Sequence, residues 1–248
     1  MGTNDASPLE DRLRLWTTPP RPVRGPTPAY TREQIADAAI AIADSDGLDA
    51  VTMRRVAGEL GAGAMSLYRY VASKEALLEL VADRMYARQE WPVPTGRWRQ
   101  DLWDFAHAHR RALLSHPWLL QVWGVGPTMG PNVLRHFERS MALVDGLGLD
   151  IDEMVETVTL ISTWTGGYVR QEFDLVNFLR SESDEEIQRE LGEYVKQVAG
   201  SGEYPYFARF VHEALIPRID AETRFGRALD RILAGIEATL PDRDAGES

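Results

Sequence analysis

VTMRRVAGELGAGAMSLYRY, residues 51–70, is the stretch that decides how this chain folds. Met53, Val56, Ala57 and Leu60 recur at i, i+3, i+4 and i+7, one apolar face of a helix, and Thr52 stands where an N-cap belongs. Gly61 and Gly63 end that helix and leave room for a turn of about three residues. Leu67 and Val71 then resume an inward face, while Met65, Tyr68 and Arg69 share the other side of a second short helix over residues 64–70. Two short helices joined by a glycine-containing turn and packed on a preceding helix make a helix-turn-helix, whose second helix can enter a major groove. In that setting Met65, Tyr68 and Arg69 reach base edges, and Ala64 is small enough to approach a thymine methyl.

The flanks supply the remaining pieces. Residues 31–34 have the order of a capping box, and Ile35, Ala38, Ala39 and Ile42 follow on one face up to Gly47. Ser73 caps a further helix that begins with Lys74 and Glu75 and runs to Glu90, and the amides at such a start suit a phosphate. Trp91-Pro92-Val93-Pro94 breaks that helix and marks a boundary. Beyond it the pattern stays helical over residues 98–115, 132–147, 152–173, 183–198, 206–215 and 221–240, with Gly and Pro only at the joints. The expectation is an all-α chain: a basic Pro-rich arm at 1–30, a three-helix helix-turn-helix domain at 31–90, a larger helical bundle at 91–241 and a disordered tail at 242–248.

Composition excludes several classes. With 248 residues, 44% hydrophobic and 26% charged, the chain has material for a sizeable core. It has no cysteine, so disulfides, thiolate metal sites and cysteine nucleophiles are absent. No apolar run approaches a membrane span, and the expected address is the cytoplasm, at the nucleoid when bound to DNA. The five histidines, His107, His109, His116, His136 and His212, show no metal-ligand spacing, so no metal, cofactor or catalytic residue is expected. Net charge is −11, which by itself disfavours DNA. The charge is unevenly spread: residues 1–90 carry 11 bases against 13 acids, the rest 16 against 25. Residues 12–32 hold Arg12, Arg14, Arg21, Arg24 and Arg32 with no acid, beside Pro19, Pro20, Pro22, Pro26 and Pro28, which reads as an extended basic arm. A small-molecule-binding helical module without DNA contact is the competing reading, and steep salt-dependent DNA binding separates the two.

The runs TREQIADAA from Thr31, DGL from Asp46, VTMRRVAGELG from Val51, SLYRYV from Ser66 and SKEALL from Ser73 resemble the DNA-binding domain of the Tet-repressor family. A weaker similarity to tetracycline repressors continues through Trp98 and RRALLSH, residues 110–116. The resemblance implies a homodimer whose paired recognition helices, about 34–36 Å apart, enter successive major grooves of a palindromic double-stranded operator, and whose larger domain binds a small molecule that disfavours DNA binding. It implies phosphate contacts at Thr52, Tyr70 and Lys74 and base-facing positions at Arg54, Ala64, Met65, Ser66 and Tyr68; Arg69 lies where the family varies. Similar actinobacterial members that regulate antibiotic export carry an N-terminal leader, and Arg21 and Arg24 would suit a narrow minor groove. Where tetracycline repressors hold drug and magnesium with Asn, Phe and His, this chain has Phe105, His109 and Trp123, so neither tetracycline nor magnesium is expected. The effector pocket implied by the family comprises Trp103, Phe105, His109, Trp123, Trp164 and Tyr168, with Gln171 as a polar contact, and suits an aromatic antibiotic or export substrate. Gly166 and Gly167 would permit close packing or make room for it. The stripe Phe225, Leu229, Ile232, Leu233 and Ile236, with the helix from Asp152, is the candidate dimer interface, or else closes the monomer core.

Overall fold

The computed structural model of the chain describes residues 8–17, 30–123, 128–181, 185–213 and 220–241, and among them there is no strand. The helices are α1 (Pro8–Thr17), α2 (Arg32–Asp46), α3 (Met53–Glu59), α4 (Ala64–Leu67), α5 (Lys74–Arg88), α6 (Trp98–Ser115), α7 (Pro131–Met141), α8 (Ile151–Ser181), α9 (Glu185–Gly200), α10 (Pro205–Glu213) and α11 (Ala221–Glu237). The chain groups into two compact units that divide at Gly166/Gly167, within α8.

In the first unit, α2 begins with the expected capping box, Thr31 Oγ1 accepting from Gln34 N and Gln34 Oε1 accepting from Thr31 N. Its apolar face, Ile35, Ala36, Ala39, Ile40 and Ala43, is buried, as are Val56 and Ala57 of α3, Leu67 and Val71, and Leu77 and Val81 of α5. The α3 terminus shows why Gly61 is glycine: at φ 66° it lets Gly61 N donate to Gly58 O (3.0 Å) and Ala62 N to Ala57 O (2.8 Å), pairing two terminal carbonyls of α3. A third, that of Leu60, accepts from the Tyr30 hydroxyl at 2.7 Å. The recognition helix is shorter than its pattern predicts. Regular α4 stops at Leu67, and Tyr70 N closes a tighter turn on Leu67 O at 2.8 Å.

The leader departs from expectation. Arg12 and Arg14 do not lie in an extended arm; they belong to α1, whose Leu15 is buried and which packs on α5. The prolines that suggested an extended chain all follow Thr17, whereas Ser7-Pro8-Leu9-Glu10 has a capping order with proline at the first helical position. Arg21, Arg24 and the tail at 242–248 lie outside the described residues.

α6 spans the expected residues, and buried Asp101 in its first turn accepts from Thr95 N, Thr95 Oγ1 and Gly96 N, fixing the connection after the proline break. α7 ends at Met141, with turns carrying Leu143, Val144 and Leu147 into the core in place of continued helix.

In the second unit, Phe225, Leu229 and Leu233 of α11 are buried and Tyr168 meets Phe225 edge-on at 5.3 Å. Ile236 of the same stripe is buried as well, while Ile232 is half-buried. Gly166 and Gly167 make no close approach, since an added methyl at either would meet open space.

Gly61→Ala is expected to lower stability by about 1 kcal/mol through its left-handed backbone. Gly58→Ala, in a helical site with open space for a methyl, should raise it by about 0.5–1 kcal/mol. Thermal or denaturant unfolding of the two variants should therefore move in opposite directions.

Candidate nucleic-acid interface and aromatic box

Met65 is 79% exposed and Tyr68 46% exposed while Leu67 and Val71 are buried, so α4 presents an apolar and aromatic side chain outward against the usual burial preference. Arg54, Arg69 and Lys74 are exposed, Ala64 and Tyr70 half-buried. Thr52 Oγ1 accepts from Arg55 N at 3.2 Å, which leaves its hydroxyl proton to donate outward. Ser66 differs: its hydroxyl donates to Gly63 O at 2.6 Å and serves the turn. Arg55 is paired with Asp46, whereas Arg54, one position earlier, has no partner among the described residues. Ser73 Oγ accepts from Ala76 N at 3.1 Å, so α5 opens with Lys74 exposed at its first position. Thr52, Arg54, Met65, Tyr68, Arg69 and Lys74 thus all have exposed side chains in this part of the fold.

The second cluster is aromatic. Tyr86 stacks on Trp123 at 4.8 Å and on Trp91 at 5.9 Å, and lies 4.7 Å from His136. Trp91 lies 4.1 Å from His136, and His109 meets Trp123 edge-on at 5.2 Å. Phe105 closes the box against His136 at 5.7 Å. Trp91 is oriented by its indole N–H, which donates to Tyr86 O at 3.1 Å and so caps the end of α5. Of the expected pocket residues the structure brings Phe105, His109 and Trp123 together. Trp103 is not among them: it faces another side of α6 and stacks on His107 at 4.8 Å, because residues two apart on a helix point to different faces. Trp164 is half-buried; Tyr168 and Gln171 belong to the second unit, where Gln171 is exposed. Tyr86, Trp91 and His136 were missed by the sequence reading, because they come from three segments with no shared spacing.

Burial controls the chemistry of the box. It lowers His109 to about 4 and His136 to about 3, the latter helped by the nearby His109 and Arg139, and it raises the Tyr86 hydroxyl to about 12. All three are therefore neutral at pH 7. His109 Nδ1, His136 Nδ1 and Trp123 Nε1 are buried with no hydrogen-bond partner among the described residues. Unpaired buried polar atoms are costly, and here three of them converge on one ring cluster. A cleft of roughly 170 Å³ opens beside it, lined by Tyr86, Ala87, Gln89, Trp91, Asn132, Arg135, His136 and Arg139. Among the described residues no group of three or more His, Asp or Glu is arranged to hold a metal, and no helix is long and apolar enough to cross a membrane.

A helix-turn-helix joined through one helix to an aromatic chamber defines a class, the one-component DNA-binding regulator. Residues 35–81 match the bacterial regulatory proteins of the tetR family, and residues 92–240 match the tetracyclin repressor-like C-terminal domain. The chain is 37% identical to the HTH-type transcriptional repressor DrrR1 of Streptomyces coeruleorubidus over 238 residues, 94% of this chain and 87% of that one. Its fold is similar to that of the TetR-family protein ActR of Streptomyces coelicolor. The ActR structure in complex with actinorhodin has a TM-score of 0.67 at 30% identity over 86% of this chain and 98% of that one. The ActR structure in complex with (S)-DNPA has a TM-score of 0.69 at 29% identity over 85% and 98%. The chain belongs to the Tet-repressor family and is a DNA-binding transcriptional regulator, of a class that binds operators as homodimers and answers to small molecules.

The two buried imidazoles make a pH prediction. Their folded-state values lie below the unfolded value near 6.5, so the stability they contribute is fully present above pH 6.5 and is lost as pH falls toward 4 and then 3. Each contributes a slope of up to about 1.4 kcal/mol per pH unit in that window. Unfolding free energy measured between pH 6.5 and 5 should fall less steeply in His136→Phe than in the parent.

Proposed function

We propose that this protein represses transcription from a palindromic operator and is released from it by a planar aromatic compound that enters the box formed by Tyr86, Trp91, Phe105, His109, Trp123 and His136. It acts by binding rather than catalysis, in the cytoplasm where the operator lies. The observation that carries the reading is the three unpartnered buried nitrogens among stacked rings. Trp123 Nε1 can only donate, so the compound presents an acceptor such as a quinone or phenolate oxygen, while each neutral imidazole donates or accepts. The actinorhodin bound by ActR has support from that side as a guide to the ligand class. The present cleft, roughly 170 Å³, is below the ~300–1,000 Å³ of drug-sized pockets. Entry therefore requires the internal ring stack to part, and a compound that binds the parted state better shifts the protein toward it. Tyr86 belongs to α5, the same helix that opens with Lys74, so parting the stack bears on the DNA-facing end.

At that end Thr52, Tyr70 and Lys74 contact phosphates; Arg54, Ala64, Met65 and Tyr68 face bases, Ser66 stands at a base-facing position with its hydroxyl holding the turn, and Arg69 adds charge beside them. Arg21 and Arg24 contribute minor-groove contacts from the leader. The proposed organisation is leader 1–30, DNA-binding domain 31–90 and effector and dimerisation domain 91–241.

Gel shifts of the full chain on intergenic DNA beside its own gene, at two salt concentrations, test the reading. Tyr68→Ala should cost about 1–3 kcal/mol on the specific site only. Lys74→Ala should weaken all sequences alike and reduce the salt slope by about 1. Added actinorhodin should quench tryptophan emission and release the DNA, with Trp123→Ala needing more of it. Binding without sequence preference or salt dependence would return the weight to a ligand-binding module alone.

A further inference from the structure

The buried carboxylate of Glu79, 4% exposed on α5, is shared by two segments that are distant in sequence. Arg12 Nε and Nη2 both donate to Oε2, at 3.0 and 2.8 Å, and Trp16 Nε1 donates to Oε1 at 3.2 Å, so α1 grips it with a guanidinium and an indole. Met129 N donates to the same Oε1 at 3.0 Å. Arg32, at the start of α2, donates to Leu15 O and holds α1 from the other side. One turn along α5, Asp83, 3% exposed, accepts from Asn132 N (2.8 Å), Asn132 Nδ2 (2.7 Å) and Val133 N (3.1 Å), taking two of the free amides at the start of α7. Gly130 lies so close to the Asp83 carboxyl that any added methyl would overlap it.

A carboxylate buried this far is costly unless its hydrogen-bond donors are in place. Removing the guanidinium takes away the two donors on Oε2 and opens that side to water, leaving Trp16 Nε1 and Met129 N as the donors that hold the carboxylate. Withdrawing Met129 from Oε1 weakens the same cluster that seats Trp16. We propose that Glu79 is a positioning residue that makes the docking of α1 and the seating of segment 128–133 on α5 conditional on each other, so that the leader helix is part of the link between effector box and DNA-binding helices. The inference rests on the ligand-responsive reading above, because His136 of the box stands on α7, directly after this segment. A shift of α7 reaches α1 through one carboxylate, and by reciprocity the state of α1 feeds back on the box with the same coupling.

Amide hydrogen exchange of the full-length chain, with neither DNA nor effector present, tests the coupling directly. Arg12→Ala should accelerate exchange at Met129 and residues 132–135 by about tenfold, the loss of roughly one charge-assisted hydrogen bond. Gly130→Ala, which displaces Asp83, should accelerate exchange of residues 12–17 in return. Arg12→Lys, which keeps the charge and loses the fork, should fall between parent and Arg12→Ala. Arg14→Ala, on the exposed side of α1, should change neither segment. Exchange in α2 and α3 should stay at parental rates; acceleration there too would mean general destabilisation and would overturn the proposal. So would changes confined to the mutated element in both variants. DNA binding in the gel shift is independent of this outcome, so failure of one leaves the other standing.

Discussion

Two acids one turn apart on α5 set the terms for much of the first unit. Glu79 and Asp83 are buried where an apolar helix face would ordinarily pack, and each accepts hydrogen bonds from donors on other segments. Asp83 acts as an N-cap supplied from outside α7: Gly130 has no side chain to cap that helix, Pro131 has no N–H, and the next two amides go to Asp83. The geometry explains the glycine, since any side chain there would occupy the carboxylate's place. Such contacts are directional, so they define one seating of α7 on α5 with a sharpness that apolar packing alone does not provide.

The other faces of α5 take the remaining partners. Leu77 and Val81 enter the core that also buries the apolar face of α2, and Arg84 forks onto Asp37 of α2 at 2.7 and 2.9 Å. That pair is about one-third exposed on both sides, so it orients the helices more than it stabilises them. Tyr86 then carries the helix into the ring cluster, and Trp91 ties off its end. A second polar tie runs from α2 to the turn after α6, where Asp44 accepts from His116 Nδ1 at 2.6 Å and from Trp118 Nε1 at 2.7 Å. The helix is thus apolar toward the DNA-binding core, acidic toward α1 and α7 and aromatic at its far end, so each of its faces has a different set of partners.

Local signals were legible residue by residue. The Thr31/Gln34 box, the Thr52 and Ser73 caps and the Gly61 turn act within a few residues of themselves, and each appears in the structure where its pattern lies. The outward display of Met65 and Tyr68 followed from helical periodicity alone. Where readings failed, a long-range partner was responsible. α1 was masked by the prolines that follow it, and its Arg12 and Trp16 find their acceptor in Glu79, more than sixty positions away. Trp103 was placed in the pocket by family resemblance, yet it stands two residues from Phe105, nearly on the opposite face of α6, and stacks on His107.

The sequence by itself therefore determined the helices from α2 to α6, the caps at Thr31, Thr52 and Ser73 and the recognition turn, though not the full extent of α4, since these arise from hydrogen bonds and side-chain directions spanning four residues or fewer. Tertiary structure alone decided which rings from α5, α6, the following turn and α7 meet in one box, and which buried acids receive their donors from where. The physical reason is that an unpaired carboxylate or imidazole looks the same in any helical pattern. What neutralises or solvates it comes from chain distant in sequence, and only packing brings that chain within hydrogen-bonding reach.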